Sequence, residues 1–568
     1  MADTVREIER KYEADDDTRL PDLAGVDRVA TVVEAGTEDL DAVYYDTSGG
    51  RLAADGITLR RRTGGRDAGW HLKLPVAPGV RDEVRAPLSD TPPAELTALV
   101  RSRVLDGELI ALVRLRTRRT VRVLRDAAGT PLAEVAEDVV SAHRPDGATG
   151  AGKTGAGPAE AHWREIEVEL LGEDGAGLLD EVGRVLAAAG VRPASAASKL
   201  ERALAETGWG RGGDASPLTR SGERGTHGSG KAAGKAKSEA KGAMKAKSGA
   251  KAKSKSKGKG KAKGKGAGKG GKQEPTAGEV VLSYAREQVR VIIELDPAVR
   301  RDLPDAVHRM RVATRRLRSA FRSYTKVLDR AATRPIGIEL QWLAAELGVE
   351  RDREVLTARL REGMAEVPGT LRLGPVDARL RIWSERRRVG ARDQVLAVLD
   401  GPRYLSLLKT LHAFLAEPPL LKAAGRPAPG VVAKAVLKDY QRLAGRVEAA
   451  LEAPAGQERD EALHGARKAA KRTRYAAEAA RAALGGAANR FAKRTKRVQQ
   501  LLGDHQDSVV ARGTLRELAT QAQRAGEGGF TFGLLYGREE ALAADRERAL
   551  PDVWKKASRR KHRAALRP

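Results

Sequence analysis

The sequence predicts an α+β chain of three parts: a strand-rich domain over residues 1–208, a disordered lysine-rich linker over 209–276, and an all-α domain over 277–568. Short segments in which charged and apolar residues alternate predict the strands. A tract of Lys, Ala, Gly and Ser without large apolar clusters predicts the linker. Long amphipathic runs rich in Ala, Leu, Arg and Glu predict helices, and a motif that recurs within them indicates a helical bundle with an internal duplication.

Two acidic segments of the first domain have the period of a strand. In the first, Glu7, Glu9 and Lys11 occupy alternate positions. In the second, the alternating carboxylates are Glu165, Glu167 and Glu169. Alternate residues of a strand point to the same face, so each segment presents a charged face. Two such strands side by side would make a divalent-cation site.

Cationic residues alternate with aliphatic ones in further segments: Arg60 and Arg62, Lys73, Arg81 and Arg85, and Arg114, Arg116 and Arg118. One interpretation of each segment alone is a half-buried strand with a solvated face. Six short strands, each with one strongly charged face, instead indicate a closed barrel with a polar interior. Such an interior would suit a metal-bound polyphosphate. Amphipathic helices predicted over 20–33, 93–104 and 177–189 would cover the apolar outside.

The composition indicates a polyanionic partner. The chain has 104 Lys and Arg against 76 Asp and Glu, which gives a net charge of +28. This excess favours binding to polyanions without specifying which one. The absence of cysteine excludes disulfides and thiolate chemistry. The charged N-terminus and the lack of a long apolar run predict a cytoplasmic protein without membrane spans.

The predicted linker carries much of the positive charge. Residues 231–272 contain 16 Lys and one Glu in a background of Ala, Gly and Ser. Repulsion between these charges predicts an extended, disordered segment. A neutral linker would separate two domains equally well, so the charge favours a polyanion tether over a spacer. Contact with nucleic acid through this tract is a weaker interpretation, because no aromatic side chains are present for base stacking.

The helical domain contains a cationic motif twice, in repeats over about 277–400 and 430–560. In each copy a histidine is followed by cations at the third, seventh, eighth and tenth positions, most of which share one helical stripe with it. Either copy alone could be a solvated helix face, but crowded cations repel each other unless an anion neutralises them. The predicted polyphosphate-binding residues are His308, Arg311, Arg315, Arg316 and Arg318, and His464, Arg467, Lys468, Lys471, Arg472 and Arg474.

Each copy is followed by a glycine with an aspartate four residues later: Gly348 and Asp352, and Gly503 and Asp507. Glycine is common after the end of a helix, and aspartate is common as an N-cap. The spacing therefore predicts a helix hairpin at this point in both copies.

These motifs resemble two known families. The first domain resembles a CYTH domain, of the triphosphate tunnel metalloenzyme family, over about residues 3–207. The matching segments are Glu7-Ile-Glu9-Arg-Lys11, Tyr44-Tyr45-Asp46-Thr47, Leu59-Arg60-Arg61-Arg62, Trp70-His-Leu-Lys73, Arg81-Asp-Glu83, Thr117-Arg118-Arg119, Glu165 to Leu170 and Ser198-Lys199. The two histidine-plus-cation helices and their Gly-x-x-x-Asp segments resemble a CHAD domain over about 277–560.

The resemblance implies an eight-stranded antiparallel tunnel that binds a triphosphate or a longer chain with Mg²⁺ or Mn²⁺, fused to a polyphosphate-binding helical domain. It implies a catalytic group of Glu7, Glu9 and Lys11. The implied metal ligands are Glu7, Glu9, Glu165 and Glu167, with Glu169 and Asp138 as further candidates. The implied phosphate-binding residues of the tunnel are Lys11, Arg60, Arg62, Lys73, Arg81, Arg119 and Lys199.

The expected function is therefore metal-dependent hydrolysis of triphosphate or inorganic polyphosphate in the tunnel, with polyphosphate held by the helical domain and the basic linker. An alternative is a non-catalytic protein that stores polyphosphate or is targeted to polyphosphate granules. By family an adenylyl cyclase is a further interpretation, since the same tunnel can hold ATP. A nucleic-acid binder is the least favoured.

Overall fold

The computed structural model describes residues 3–145, 160–172, 175–209, 274–386 and 390–567. The predicted linker lies outside these residues except at its two ends. The strand-rich domain and the helical domain belong to one compact unit. The prediction of an α+β chain with a barrel followed by a helical domain is confirmed.

Within the described residues, eight antiparallel strands form a closed barrel. Their order is β5-β4-β3-β2-β6-β7-β8-β1, and pairing between β1 and β5 closes the sheet. A short strand, Arg192–Pro193 (β9), adds to β1. The eight strands are β1 (Asp3–Ala14), β2 (Thr31–Asp46), β3 (Thr58–Thr63), β4 (Gly69–Ala77), β5 (Val80–Ala86), β6 (Ile110–Arg125), β7 (Pro131–His143) and β8 (Glu160–Leu170).

Helices cover the apolar outer face of the barrel, as the alternating pattern requires. Besides the short α1 (Arg51–Ala54), they are α2 (Ala94–Val104), α3 (Ala176–Ala188) and α4 (Lys199–Glu206). Leu96 of α2 packs on the outward side chains of β3 to β5, and Leu186 of α3 packs on those of β1, β7 and β8. Leu200 of α4 packs over β6 to β8. The helices predicted over 93–104 and 177–189 are confirmed.

The helix predicted over 20–33 is wrong. Its apolar residues Leu23, Val26 and Val29 are buried against the same core as α3. They reach it through successive turns, in which Val26 N–H donates to Leu23 C=O and Val29 N–H donates to Val26 C=O. Apolar residues three positions apart can therefore face the same core in consecutive turns as well as in a helix. Strand β2 begins at Thr31, two residues after Val29.

The helical domain begins at Thr276, whose side chain forms a capping box with Glu279. Gly485, at φ 51°, kinks the longest helix near its start. The helices are α5 (Ala277–Arg300), α6 (Ala306–Ser323), α7 (Arg330–Glu346), α8 (Gly348–Ala365), α9 (Val376–Arg386), α10 (Ala391–Asp400), α11 (Pro402–Ala416), α12 (Ala428–Glu452), α13 (Gln457–Ala479), α14 (Arg481–Arg524), α15 (Phe530–Ala557) and α16 (Arg560–Ala564), with two 3-10 turns at Gly369–Leu371 and Lys422–Gly425. No helix among these described residues is long and apolar enough to cross a membrane.

The two cationic motifs lie on equivalent helices. Helix α6 carries the first motif and follows the 24-residue α5, whereas α13 carries the second and follows the 25-residue α12. Helices α6 and α13 pack against each other. The two copies therefore meet at their cationic helices.

The predicted helix hairpins differ from the structure. In the first copy a break exists, but Gly348 begins α8 directly after Leu347, and Asp352 lies inside that helix. In the second copy Gly503 and Asp507 both lie inside α14, so the predicted hairpin is wrong. Neither Gly348 nor Gly503 has a positive φ, so neither segment has the geometry of a glycine C-cap.

The barrel and the helical domain contact each other directly. Helix α2 packs on α5, and the Arg103 guanidinium donates to Ile293 C=O at 3.2 Å. Arg301 at the end of α5 forms an ion pair of 2.9 Å with Asp82 of β5. These contacts place the start of α6 beside the barrel wall that holds β1 and β5.

Candidate functional site

The two acidic strands of the sequence are neighbours. In the β1–β8 pair, Glu9 lies opposite Glu169 and Lys11 lies opposite Glu167. Glu7 lies opposite Arg81 of β5 on the other side of β1. Strands β1 and β8 are therefore adjacent, as the predicted cation site requires. The carboxylates of both strands point into the barrel.

The interior of the barrel holds a polar cavity of about 290 Å³. All seven cations predicted to bind phosphate in the tunnel line it: Lys11, Arg60, Arg62, Lys73, Arg81, Arg119 and Lys199. Four of the six predicted metal ligands also line it: Glu7, Glu9, Glu167 and Glu169. So many unlike charges in a small buried volume are rare unless they bind a ligand or pair with each other.

One group of carboxylates surrounds Lys199. Oxygens of Asp138, Glu165 and Glu167 lie within 4.8 Å of one another. The Lys199 ammonium contacts all three, at 2.9, 2.7 and 2.5 Å respectively. Arg119 forms further ion pairs with Asp138 and Glu167, and Lys11 contacts Glu167. Although burial opposes its charge, these carboxylates raise the pKa of Lys199.

A second group of carboxylates lies around Lys73. Its ammonium is 2.7 Å from Glu7 and 3.7 Å from Glu83. Burial opposes ionisation of Glu9, yet the charges of Lys11 and Lys73 lower its pKa to about 2. Burial and the neighbouring Glu7 raise the pKa of Glu169 to about 7. The six predicted metal ligands therefore lie in two groups, and Lys11 links them because it is 2.9 Å from Glu9 and also contacts Glu167.

These oxygens suit a hard divalent cation. Glu7 Oε2 and Glu165 Oε1 are buried and accept no well-aligned hydrogen bond, although a lysine ammonium lies 2.7 Å from each. Carboxylate oxygens are the ligands that Mg²⁺ and Mn²⁺ prefer. This set of carboxylate oxygens thus fits such an ion. In this structure the positive charges of Lys73 and Lys199 balance the negative charges of Glu7 and Glu165.

Sequence reasoning missed three residues of the cavity wall or its immediate support. Glu83 is 1% exposed and accepts from His71 Nδ1 at 2.9 Å. His71 Nε2 lies 2.9 Å from Asp67 C=O, and burial lowers the pKa of this histidine to about 4. The Tyr44 hydroxyl is 3.4 Å from Arg60. The alternation of Arg81, Glu83 and Arg85 could have identified Glu83, whereas nothing in the sequence separates His71 from an ordinary core histidine.

In the helical domain, part of each cationic motif converges on Lys471. Burial, with the charges of Arg467 and Arg315, lowers the pKa of Lys471 to about 8. Arg315 lies on α6 and Arg467 on α13, so both copies contribute. Arg467 also contacts Asp507 at 3.4 Å. We call Arg315, Arg467 and Lys471 the basic cluster.

The other residues of the two motifs contact groups outside the basic cluster. Arg472 pairs with Asp439 at 2.8 Å, Arg316 pairs with Glu478 at 3.2 Å, and Arg318 donates to Gln341 at 2.5 Å. Arg474 lies 3.5 Å from Glu478, near enough to Lys471 to influence its charge. Lys468 is exposed, and His464 contacts Gln506. His308 lines a separate cleft of about 470 Å³ at the start of α6. Arg311 is buried against Gly348.

The fold and the site define a charged β-tunnel joined to a helical domain with a duplicated basic motif. The CYTH domain family matches residues 5–204, and the CHAD domain family matches residues 283–516. Uncharacterized protein MT2285 of Mycobacterium tuberculosis (strain CDC 1551 / Oshkosh) is 37% identical over 544 residues, which cover 94% of this chain and 93% of that relative. The chain belongs to the family in which a CYTH domain is fused to a CHAD domain. Members of the CYTH family are metal-dependent triphosphatases or cyclases.

Two solved structures resemble the chain over half of its length. PptA from Streptomyces chartreusis is 20% identical with a TM-score of 0.42, and the match covers 50% of this chain and 99% of that chain. The CHAD domain from the plant Ricinus communis is 24% identical with a TM-score of 0.40, and the match covers 50% of this chain and 92% of that chain.

Proposed function

We propose that the barrel hydrolyses a phosphoanhydride bond of triphosphate or inorganic polyphosphate with the help of Mg²⁺ or Mn²⁺, and that the helical domain and the basic linker bind polyphosphate. One observation carries this proposal: a cavity of about 290 Å³ is lined by carboxylates and by nine Arg and Lys residues, which include all seven predicted phosphate-binding cations. A chain of phosphates presents negative oxygens along its length, and the cations lie along the cavity wall to meet them.

The carboxylates are the residues that would hold the metal ion. They are Glu7, Glu9, Glu165 and Glu167, with Asp138 and Glu169 as further ligands. When bound, the ion withdraws charge from the phosphoryl group under attack.

The cations bind and align the phosphate chain. Arg60 and Arg62 on β3 and Lys73 on β4 neutralise oxygens on one wall, and Arg119 and Lys199 do so on another. The lysines that pair with carboxylates exchange these partners for phosphate oxygens. Water then attacks the phosphorus in line with the bridging oxygen, which leaves with the shorter chain. No covalent bond to the protein is needed.

The experiment is phosphate release from tripolyphosphate and from long-chain polyphosphate, with and without Mg²⁺ or Mn²⁺. We expect metal-dependent release by the wild type and a loss of about 100-fold or more in Glu9→Gln, because a neutral amide is a poor metal ligand. Glu95→Gln, on the exposed face of α2, is the matched control. Release by Glu9→Gln at the wild-type rate would contradict this site.

The basic cluster supports a second candidate function, in which the protein binds polyphosphate without cleaving it. Lys471 is held beside two arginines and keeps a lowered pKa, so an anion would relieve the repulsion between them. This candidate predicts tight, strongly salt-dependent binding of polyphosphate and no phosphate release with either metal ion.

A further inference from the structure

A large cleft lies between the barrel and the helical domain. Its volume is about 1300 Å³, several times that of the tunnel cavity. On one side it is bounded by β1, the β4–β5 turn and α3, and on the other by α5 and the start of α6. Both domains therefore contribute walls to one space.

The cleft adjoins the tunnel. Glu9, Lys11 and Arg81 line both spaces. This stretch of β1 lies between its pairing with β5, which ends at Ile8, and its pairing with β9, which begins at Tyr12. Between Ile8 and Tyr12, this edge of β1 is therefore not paired with β5 or β9. The Arg81 guanidinium of β5 donates to Ala197 C=O, on the β9 side of this gap, at 2.6 Å.

The lining of the cleft is predominantly cationic. Nine Arg and Lys residues and five Asp and Glu residues line it. Most of these cations have a carboxylate partner, as Arg10 has Asp180 and Arg301 has Asp82. Arg309 on α6 is exposed and has no carboxylate partner among the described residues. On the opposite wall, the Arg184 side chain of α3 is 72% exposed and forms an ion pair of 3.1 Å with Glu181, one turn earlier on the same helix.

We propose that this cleft binds the part of a polyphosphate chain that extends beyond the tunnel, so that the preferred substrate is a chain longer than triphosphate. The excess of positive charge selects a polyanion, and the shared residues allow one chain to occupy both spaces. Arg309 lies next to His308 of the first cationic motif on α6. The end of the cleft that is opposite the barrel therefore lies at the helical domain. The inference rests on the proposed function and specifies its substrate.

The test is the double variant Arg184→Gln with Arg309→Gln, which removes one charge from each wall, in the full-length chain. The measured quantity is kcat/KM for long-chain polyphosphate divided by kcat/KM for tripolyphosphate. We expect this ratio to fall about fivefold, since two exposed charge contacts are lost only for the longer substrate. Arg524→Gln, an exposed arginine on α14 outside both spaces, should leave the ratio unchanged. An unchanged ratio in the double variant would overturn the proposal.

Failure of the proposed function would be visible separately. If the wild type releases no phosphate from either tripolyphosphate or long-chain polyphosphate with Mg²⁺ or Mn²⁺, hydrolysis is wrong, and the cleft is then tested by calorimetric titration of both anions into metal-free protein. A fall of about fivefold in the affinity ratio of long-chain polyphosphate to tripolyphosphate supports the cleft, and equal affinities in wild type and double variant overturn it.

Discussion

Gly348 leaves room for the guanidinium of Arg311. A Cβ built on Gly348 would lie 2.7 Å from Arg311 Nη2 and 3.0 Å from its Cζ. In the second copy a Cβ on Gly503 would lie 3.7 Å from Nε and Nη2 of Arg467, which is an ordinary van der Waals contact that alanine could also make. In both copies the arginine is the third residue after the histidine of the motif. Gly348 therefore allows the start of α8 to approach Arg311, the first cation of its motif, more closely than a residue with a Cβ could.

Gly348→Ala should displace Arg311 and weaken polyphosphate binding by the helical domain. The clash is with the end of a flexible side chain, so the free energy of unfolding should change by only about 1 kcal/mol or less. We expect affinity for long-chain polyphosphate to fall about fivefold, because one charged contact moves. Calorimetric titration checks this. Gly513→Ala, in α14 with open space around its Cβ, is the matched control, and an equal effect of both substitutions would contradict the role of the glycine.

The glycines show where the sequence was informative and where it was not. Their recurrence after each cationic motif marked them, but a glycine that ends a helix and one that admits a neighbouring side chain have the same local sequence signature. The alternation of charged and apolar residues in six segments, of which Glu7 to Lys11 is one, was sufficient for the barrel, since the period of two decides which residues face inward. The same pattern could not predict that Asp138 would join Glu165 and Glu167, because that depends on the register of β7 against β8.

Binding of polyphosphate by the basic cluster should weaken as the pH rises through 8. Burial and the charges of Arg467 and Arg315 lower the pKa of Lys471 to about 8. Below this pH the ammonium is charged and attracts phosphate, whereas above it the amine is neutral. We expect a loss of affinity of up to about tenfold between about pH 7 and pH 9.

Lys471→Arg provides the control for this pH dependence, because a guanidinium stays charged across the range. Lysines that are fully exposed to solvent titrate at about pH 10.4 and contribute little change in this window. Affinity measured at several pH values should therefore decline more steeply in the wild type than in the variant. Parallel profiles would show that Lys471 does not control binding.

Asp82 should be essential for the contact between the two domains. It is 4% exposed on β5, between the tunnel residues Arg81 and Glu83, and it accepts from both Arg6 of the barrel and Arg301 of the helical domain. Asp82→Asn would leave Arg301, whose side chain is 14% exposed, without its charge partner. Loss of one partner from a largely buried ion pair destabilises, so we expect the free energy of unfolding to fall by about 2 kcal/mol.

Thermal and urea unfolding measure this change, and the number of transitions reports whether the domains still unfold together. Asp90→Asn is the matched control, because the Asp90 side chain is fully exposed and lies 3.9 Å from Arg61 of its own domain. That pair should contribute less than about 1 kcal/mol. If Asp82→Asn were no more destabilising than Asp90→Asn, the Arg301 contact would not hold the helical domain against β5. The cleft beside β1 would then have to be maintained by other contacts, which include the packing of α2 on α5 and the ion pair of 2.6 Å between Lys409 and Asp106.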